Sequence, residues 1–378
     1  MANRFTCPYC YNEHTLEECK VLCSYNIAGN TTAPCPNKVQ RNPDSSVNPR
    51  DVRRCMNCNH ASKTILCPHI QRAIPRDFLN EISLPIALLG AKATGKSNYI
   101  GVLIHEIRKK MSLRFNCSLA ISADEESKNH YNQFYGEPLY EAHQVITATD
   151  AGETPPLIFP LRFMDKKNNI KNIVTLTFYD TAGENLDSSN SMDVYNQYIA
   201  NSKGIILLLD PLQVPSIRKV LQAKGVALPQ KNTDIETVLS NIVEQIRRKT
   251  NIRGNIDIPI ALVFTKMDVL EKYGLIDDTM AIYDVSPHEK YGTFIKSHFE
   301  SCQIDMDGLL GNFFEGDGEL TQGLKAFTKV GFFACSALGT APDEFEQLPE
   351  EGPKPKNILD PLIWILAQYK FVTTTKKL

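Results

Sequence analysis

Apolar residues in this chain gather in six compact runs, at 84–89, 157–164, 171–179, 204–209, 258–264 and 329–335. Each has the length of a strand, and the run at 204–209 reads as a fully buried one. Between the runs, apolar positions recur at helical spacing: Tyr99, Ile100, Leu103, Ile104 and Ile107 would share one helix face. Two helix starts carry capping boxes, Thr233 with Glu236 and Ser286 with Glu289, the second with Pro287 at the first helical position. A last amphipathic stretch near 358–369 puts Leu362, Ile365 and Leu366 on one side. Alternation of strand and helix over 82–338 predicts an α/β domain with a mostly parallel sheet. Residues 1–75 break this pattern; they lack long apolar periodicity and include a polar, loop-like stretch at 37–51.

At 378 residues the chain has room for two or three domains and a large core. A net charge of −2 implies no bulk electrostatic partner. No apolar run approaches a membrane span, and the N-terminus lacks the apolar core of a signal peptide, so a cytoplasmic protein is expected. Cysteine usage changes the picture, because eight of the 11 cysteines precede residue 70. In a reducing cytosol such clustering points to metal rather than disulfides. Cys117, Cys302 and Cys335 read as small buried apolar residues.

Candidate chemistry begins with Gly90-Ala91-Lys92-Ala93-Thr94-Gly95-Lys96-Ser97, which fits G-x-x-x-x-G-K-[ST] between a strand-like and a helix-like segment. Such a strand, glycine loop and helix N-terminus make an anion cradle. Backbone N–H groups point inward, the helix dipole favours negative charge, and Lys96 reaches the outer phosphates of a nucleotide. Ser97 would ligate Mg²⁺, with Asn98 beside it. Farther on, Asp180-Thr-Ala-Gly183-Glu184 places an acid at a strand tip, where it would face the same Mg²⁺ through water. Gly183 leaves room for a backbone N–H beside the γ-phosphate.

Asp180-Thr-Ala-Gly183 resembles the third guanine-nucleotide motif of Ras-like P-loop GTPases of the TRAFAC clade. In the order that family requires, Thr265-Lys266-Met267-Asp268 resembles its base-reading motif Asn-Lys-x-Asp, with Thr265 at the first position as in Rho-type members. Ser336-Ala337-Leu338 resembles the fifth motif, whose backbone contacts the guanine carbonyl. The resemblance implies GTP and GDP as ligands, Asp268 accepting from guanine N1 and its exocyclic amine, and Lys266 across the base plane. It also implies a switch threonine on Mg²⁺ and the γ-phosphate. Thr154 holds that position ahead of the 157–164 run, with Thr147 and Thr149 as competitors. The catalytic set is then Lys96, Thr154, Gly183 and Glu184, and the Mg²⁺ set Ser97, Thr154 and Asp180.

Two departures bear on turnover. Ras has glutamine where this chain has Glu184, and a carboxylate beside a γ-phosphate is repelled unless protonated or turned away. Lys92 occupies a loop position that is glycine in Ras. Slow intrinsic hydrolysis, raised by a protein partner, is the expectation. The GTPase-like span, 82–370, exceeds a minimal Ras-like domain. Its insertions and closing helix with the lone Trp364 are similar to large bacterial double-GTPase proteins, proposed components of bacterial conflict systems with protein regulators. The rival readings are a GTP sensor or scaffold without useful turnover, and a nucleotide-regulated nucleic-acid binder.

Cys7-Pro-Tyr-Cys10 and Cys55-Met-Asn-Cys58 are C-x-x-C knuckles, a spacing that lets two thiolates grip one Zn²⁺. A sequential partition gives one site from Cys7, Cys10, Cys23 and Cys35, and a second from Cys55, Cys58, Cys67 and His69. Cys19 competes with Cys23, His60 competes with His69, and a crossed arrangement joining the knuckles stays open. The chain is therefore expected to pair a zinc module at 1–75 with the GTPase-like domain. The module's expected role is as a protein adaptor. The alternative is nucleic-acid binding through Arg50, Arg53, Arg54, Lys63, Arg72 and Arg76.

Overall fold

The computed structural model describes residues 4–15, 18–22, 38–39, 53–54, 61–62, 64–75, 82–91, 94–119, 125–146, 156–178, 197–229, 235–313, 319–343 and 345–376. Two hairpins come first: β1 (Arg4–Thr6) with β2 (Glu13–Thr15), and β3 (Thr64–Leu66) with β4 (Ala73–Pro75). The main sheet is built from β5 (Ile82–Gly90), β6 (Cys117–Leu119), β7 (Leu157–Met164), β8 (Ile170–Phe178), β9 (Gly204–Leu209), β10 (Ile260–Phe264) and β11 (Val330–Ala334). Their spatial order is β6-β7-β8-β5-β9-β10-β11. From β8 to β11 all neighbours are parallel, and β7 and β6 extend that edge antiparallel. The six apolar runs all became strands. The addition is β6, too short to show a period of its own.

Residues of β5 alternate between the two faces, as a pleated strand requires. Leu84, Ile86 and Leu88 join one core with residues of α1 (Lys96–Glu106) and of the late helix Asp360–Gln368, whereas Ala87 and Leu89 join the opposite core. That second core holds Ile217, Leu239 and Ile246, from helices Pro215–Ala223 and Ile235–Thr250. Each fully buried Leu or Ile contributes roughly 1.5–3 kcal/mol. Ser286 caps helix Pro287–Tyr291 by accepting from the His288 N–H at 3.2 Å. The reciprocal half of the capping box is absent, since the Ser286 N–H donates to Asn357 Oδ1 at 2.8 Å and Glu289 faces Lys110. Thr233 lies outside the described residues.

The chain leaves β5 toward β8 on one side and β9 on the other, so β5 is the topological switch point. Its carboxyl end therefore opens on a crevice. No helix among the described residues is long and apolar enough to cross a membrane.

Candidate functional site

The crevice at the end of β5 receives the phosphate loop. Gly95 takes the left-handed conformation (φ 83°) that a side chain resists, turning the loop into α1, where the Tyr99 N–H donates to Gly95 O at 2.8 Å. Lys96 folds back so that Nζ donates to Gly90 O at 3.2 Å, and Thr94 closes the loop through Ala91 O at 2.9 Å. Ser97 sits in the first helical turn, where its hydroxyl suits a hard cation beside a phosphate. Asn98 does something sequence reading did not foresee. Its amide donates to Ile146 O at 3.3 Å and accepts from the Ile146 N–H at 3.1 Å, so the side chain pins the 143–146 segment to α1. Lys92, Ala93, Thr147, Thr149, Thr154, Asp180, Gly183 and Glu184 lie outside the described residues.

The residues expected to read the base stand along the same carboxyl edge. Thr265, buried at the end of β10, donates its hydroxyl to Thr94 O at 3.3 Å and to Leu209 O at 3.2 Å, tying the base motif to the phosphate loop. Lys266 has φ 54° and pairs its ammonium with the buried Asp210 carboxylate at 2.7 Å, a partner the sequence motif does not contain. Asp268 accepts from Ser336 Oγ at 2.6 Å, and Ser336 accepts from the Gly339 N–H at 2.9 Å. One carboxylate oxygen is thereby oriented by the fifth-motif loop, which carries Ala337 and Leu338 against the core. Gly339 is obligatory there: it has φ 74°, and a Cβ would come within 2.0 Å of Lys354 O.

A second cluster forms where the two hairpins meet. Cys7, Cys10, His14 and Cys67 are all buried, with ligand atoms within 4.8 Å of one another. Cys10 Sγ lies 3.5 Å from Cys67 Sγ and 3.2 Å from His14 Nε2, and Cys67 Sγ lies 3.6 Å from His14 Nε2. Zn–S and Zn–N bonds of ~2.3 and ~2.0 Å in a tetrahedron place ligand atoms about 3.5–3.8 Å apart, so the donor set fits Zn²⁺. Glu18 lies 3.7 Å from His14 Nδ1, beyond direct hydrogen-bond reach but close enough to favour a proton on that nitrogen, which leaves Nε2 facing the thiols. Hydrogen bonds from Cys10 and Cys7 hold the Cys67 thiol far below its usual value. The Cys7 thiol is pushed far up by hydrogen bonding to Cys10 and Cys67 and by burial.

Among the described residues this arrangement departs from the sequential partition. Cys67 lies with the first knuckle, His14 completes the cluster, and His69 is exposed outside it. The physical reason is a repeated turn. The Cys7 N–H donates to Asn12 O and the Tyr11 N–H to Cys7 O; likewise the Cys67 N–H donates to Arg72 O and the Gln71 N–H to Cys67 O. In that register Ile70 stands where Cys10 stands, so the second turn brings one thiol and His14 completes the set. The signal missed was the C-x-x-x-H spacing of Cys10 and His14. Cys23, Cys35, Cys55, Cys58 and His60 lie outside the described residues; Cys19 is buried and outside this cluster.

Both hairpins touch the nucleotide-binding fold. Tyr11, wholly buried beside Cys10, packs its ring 4.9 Å from Tyr198, in the helical turn that leads to β9. Tyr198 in turn donates its hydroxyl to Ile86 O of β5. From the other hairpin Arg72 stacks on Tyr9 and pairs with Glu126, in the helix Glu125–Tyr131.

A family model described as Double-GTPase 2 matches residues 84–302, more than half of the chain. A Mycolicibacterium smegmatis protein, SaeC, named as a proposed ESX-1 scaffolding and assembly protein, is 25% identical over 350 residues, covering 87% of this chain and 86% of that one. Among solved structures, the GTP-bound GTPase-like domain of S. cerevisiae Ski7 aligns at 14% identity and TM-score 0.33, over 76% of this chain and 50% of that chain. A GTP-binding protein from Sulfolobus solfataricus in complex with GDP aligns at 12% identity and TM-score 0.27, over 76% of this chain and 53% of that chain. The chain thus spans about half the length of these solved chains.

Proposed function

Because the chain belongs to the Double-GTPase 2 family, we propose that it is a guanine-nucleotide switch that hydrolyses GTP slowly and is regulated by protein partners. The observation that carries this reading is the Thr265 hydroxyl on Thr94 O, with Asp268 oriented by Ser336 beside it. It sets a guanine acceptor at a fixed offset from a phosphate cradle. The phosphate end belongs to Lys96 and the backbone N–H groups of 90–97, which hold the β- and γ-phosphates in line for attack by water. When bound through Ser97, Thr154 and Asp180, Mg²⁺ would neutralise charge on those phosphate oxygens. Thr154 and the N–H of Gly183 would engage only the triphosphate, so partners would meet two different surfaces. Glu184 lacks the amide that orients water in Ras, which accounts for slow turnover.

Residues 1–75 and 82–370 are proposed as the two functional units, the first a Zn²⁺-stabilised adaptor held by Cys7, Cys10, His14 and Cys67. A role in a bacterial conflict system belongs to the same proposal. A second reading, a GTP-bound scaffold without useful turnover, is favoured by Glu184 and by the name of the SaeC relative.

Titrating GTP and ATP against the native chain and Asp268→Ala tests the assignment. The native chain should prefer GTP by at least about 100-fold, and the variant should lose about 2–3 kcal/mol of GTP affinity while ATP affinity stays put. Equal affinity for both nucleotides in the native chain removes the guanine reading. Single-turnover hydrolysis faster than about one per second removes the slow-switch reading.

A further inference from the structure

The sheet has a second pole, opposite the nucleotide crevice, and it carries an open groove of about 1010 Å³ between helices Ile235–Thr250 and Glu319–Leu324. Its lining includes Arg247, Arg248, Arg253 and Lys325, against a single carboxylate, Glu244, among the described residues. All four cations are exposed, and none forms an ion pair with a described residue. Arg247 and Arg248 complement the carboxyl end of their helix dipole, but Arg253 and Lys325 lie beyond that helix, so the dipole does not account for the cluster. Between the cations the floor is apolar, with Val243, Ile252 and Ala326. Among the described residues no aromatic ring lines the groove to stack a base, and Glu244 would repel a phosphate backbone. The chemistry fits an acidic peptide segment with an apolar anchor.

This chain displays such a segment at its nucleotide pole. Between Ala341 and Pro353 it has five carboxylates and no cation, and Phe345 in their midst is 71% exposed. The turn that presents Phe345 is rigidly built. Asp343 Oδ1 accepts from the Phe345 N–H at 2.9 Å and the Gln347 N–H at 2.8 Å. Its base is stitched to the segment pinned by Asn98, the Val145 N–H donating to Glu346 O and the Leu348 N–H to His143 O. An exposed aromatic on a preorganised turn forfeits little entropy on binding, as interface anchors do.

We propose that Phe345 and its flanking carboxylates dock into the Arg247–Lys325 groove of a second copy of the chain. Finger and groove lie at opposite poles, so the contact is heterologous, and repeating it joins copies head to tail. This contact stands whether or not the nucleotide reading holds.

Sedimentation of the full chain, from low to high micromolar, tests it. Species above the 42.4 kDa chain should appear with concentration and dissolve near 1 M salt, where the Debye length is ~3 Å. Phe345→Ala and the double variant Arg247→Glu/Arg248→Glu should each be monomeric at every concentration, with native melting temperatures. Mixed together they should give dimers and nothing longer, because only one intact finger and one intact groove remain per pair. A monomeric native chain at low salt, variants that assemble like the native chain, or a mixture that stays monomeric would each overturn the proposal. So would binding of a single-stranded oligonucleotide that is lost in the arginine variant while self-association is not.

Discussion

Asp360, in the first turn of helix Asp360–Gln368, has Oδ1 buried without a hydrogen-bond partner, beside a cavity of about 20 Å³ shared with His288, His298 and Cys302. The cavity has room for one water. Burial pushes the carboxyl up to about 8, helped by Glu289 and opposed by a hydrogen bond from Ser286. His288 responds to the same burial in the opposite sense and falls to about 3, with Nδ1 accepting from the Ile295 N–H. Folding therefore holds a proton on Asp360 that the unfolded chain releases near its ordinary pKa. Its contribution is intact at acidic pH, declines as pH rises from about 4, and is lost above about 8. His288 works the other way, costing stability as pH falls below about 6.5. Asp360→Asn isolates the first effect. The melting temperature of the variant relative to the native chain should rise with pH, by roughly 3 °C or more between pH 5 and pH 9. A parallel shift at both pH values would mean the carboxyl is not neutral in the folded state.

At the scale of elements, the paired hairpins make the Cys/His cluster a property of two turns rather than of one motif. Chelator competition should find zinc held at least tenfold more weakly in His14→Ala, whereas His69→Ala should match the native chain. Loss in His69→Ala with none in His14→Ala would restore the ribbon-like partition. The contrast shows what the residues could and could not disclose. Runs such as 204–209 and 258–264 declare themselves because a buried strand needs only its own apolar residues. The phosphate loop does so too, since a glycine turn and a helix start are local. Which cysteine meets Cys7 depends on how two hairpins pack, 60 residues apart, and no spacing rule contains that. The partners of Asn98 and Lys266, Ile146 and Asp210, were missed for a similar reason, as each is distant in sequence. The three-residue β6 was invisible because pairing with β7, not its own pattern, makes it a strand.

On the scale of the whole molecule, the first hairpin and the main sheet share one core. Tyr11 belongs to the same buried cluster as Ala87 and Leu89 of β5. Its removal should therefore be felt beyond its own turn. Tyr11→Ala is expected to cost about 3–5 kcal/mol in denaturant unfolding with zinc present. A separate early transition for the hairpins, leaving the main transition unmoved, would show the two parts unfold independently.

The meeting of Cys7 and Cys10 with Cys67 also sets a clock on synthesis. Ribosomes add about 5–20 residues per second, so the first two thiols emerge roughly 3–12 s before the third. Tyr11 waits longer still, until Tyr198 has been made. Throughout that interval the Cys7–Tyr11 turn of the newborn chain carries bare thiols and an unburied aromatic ring. It is then open to oxidation, to foreign metals and to chaperones, before the last-made partners close around it.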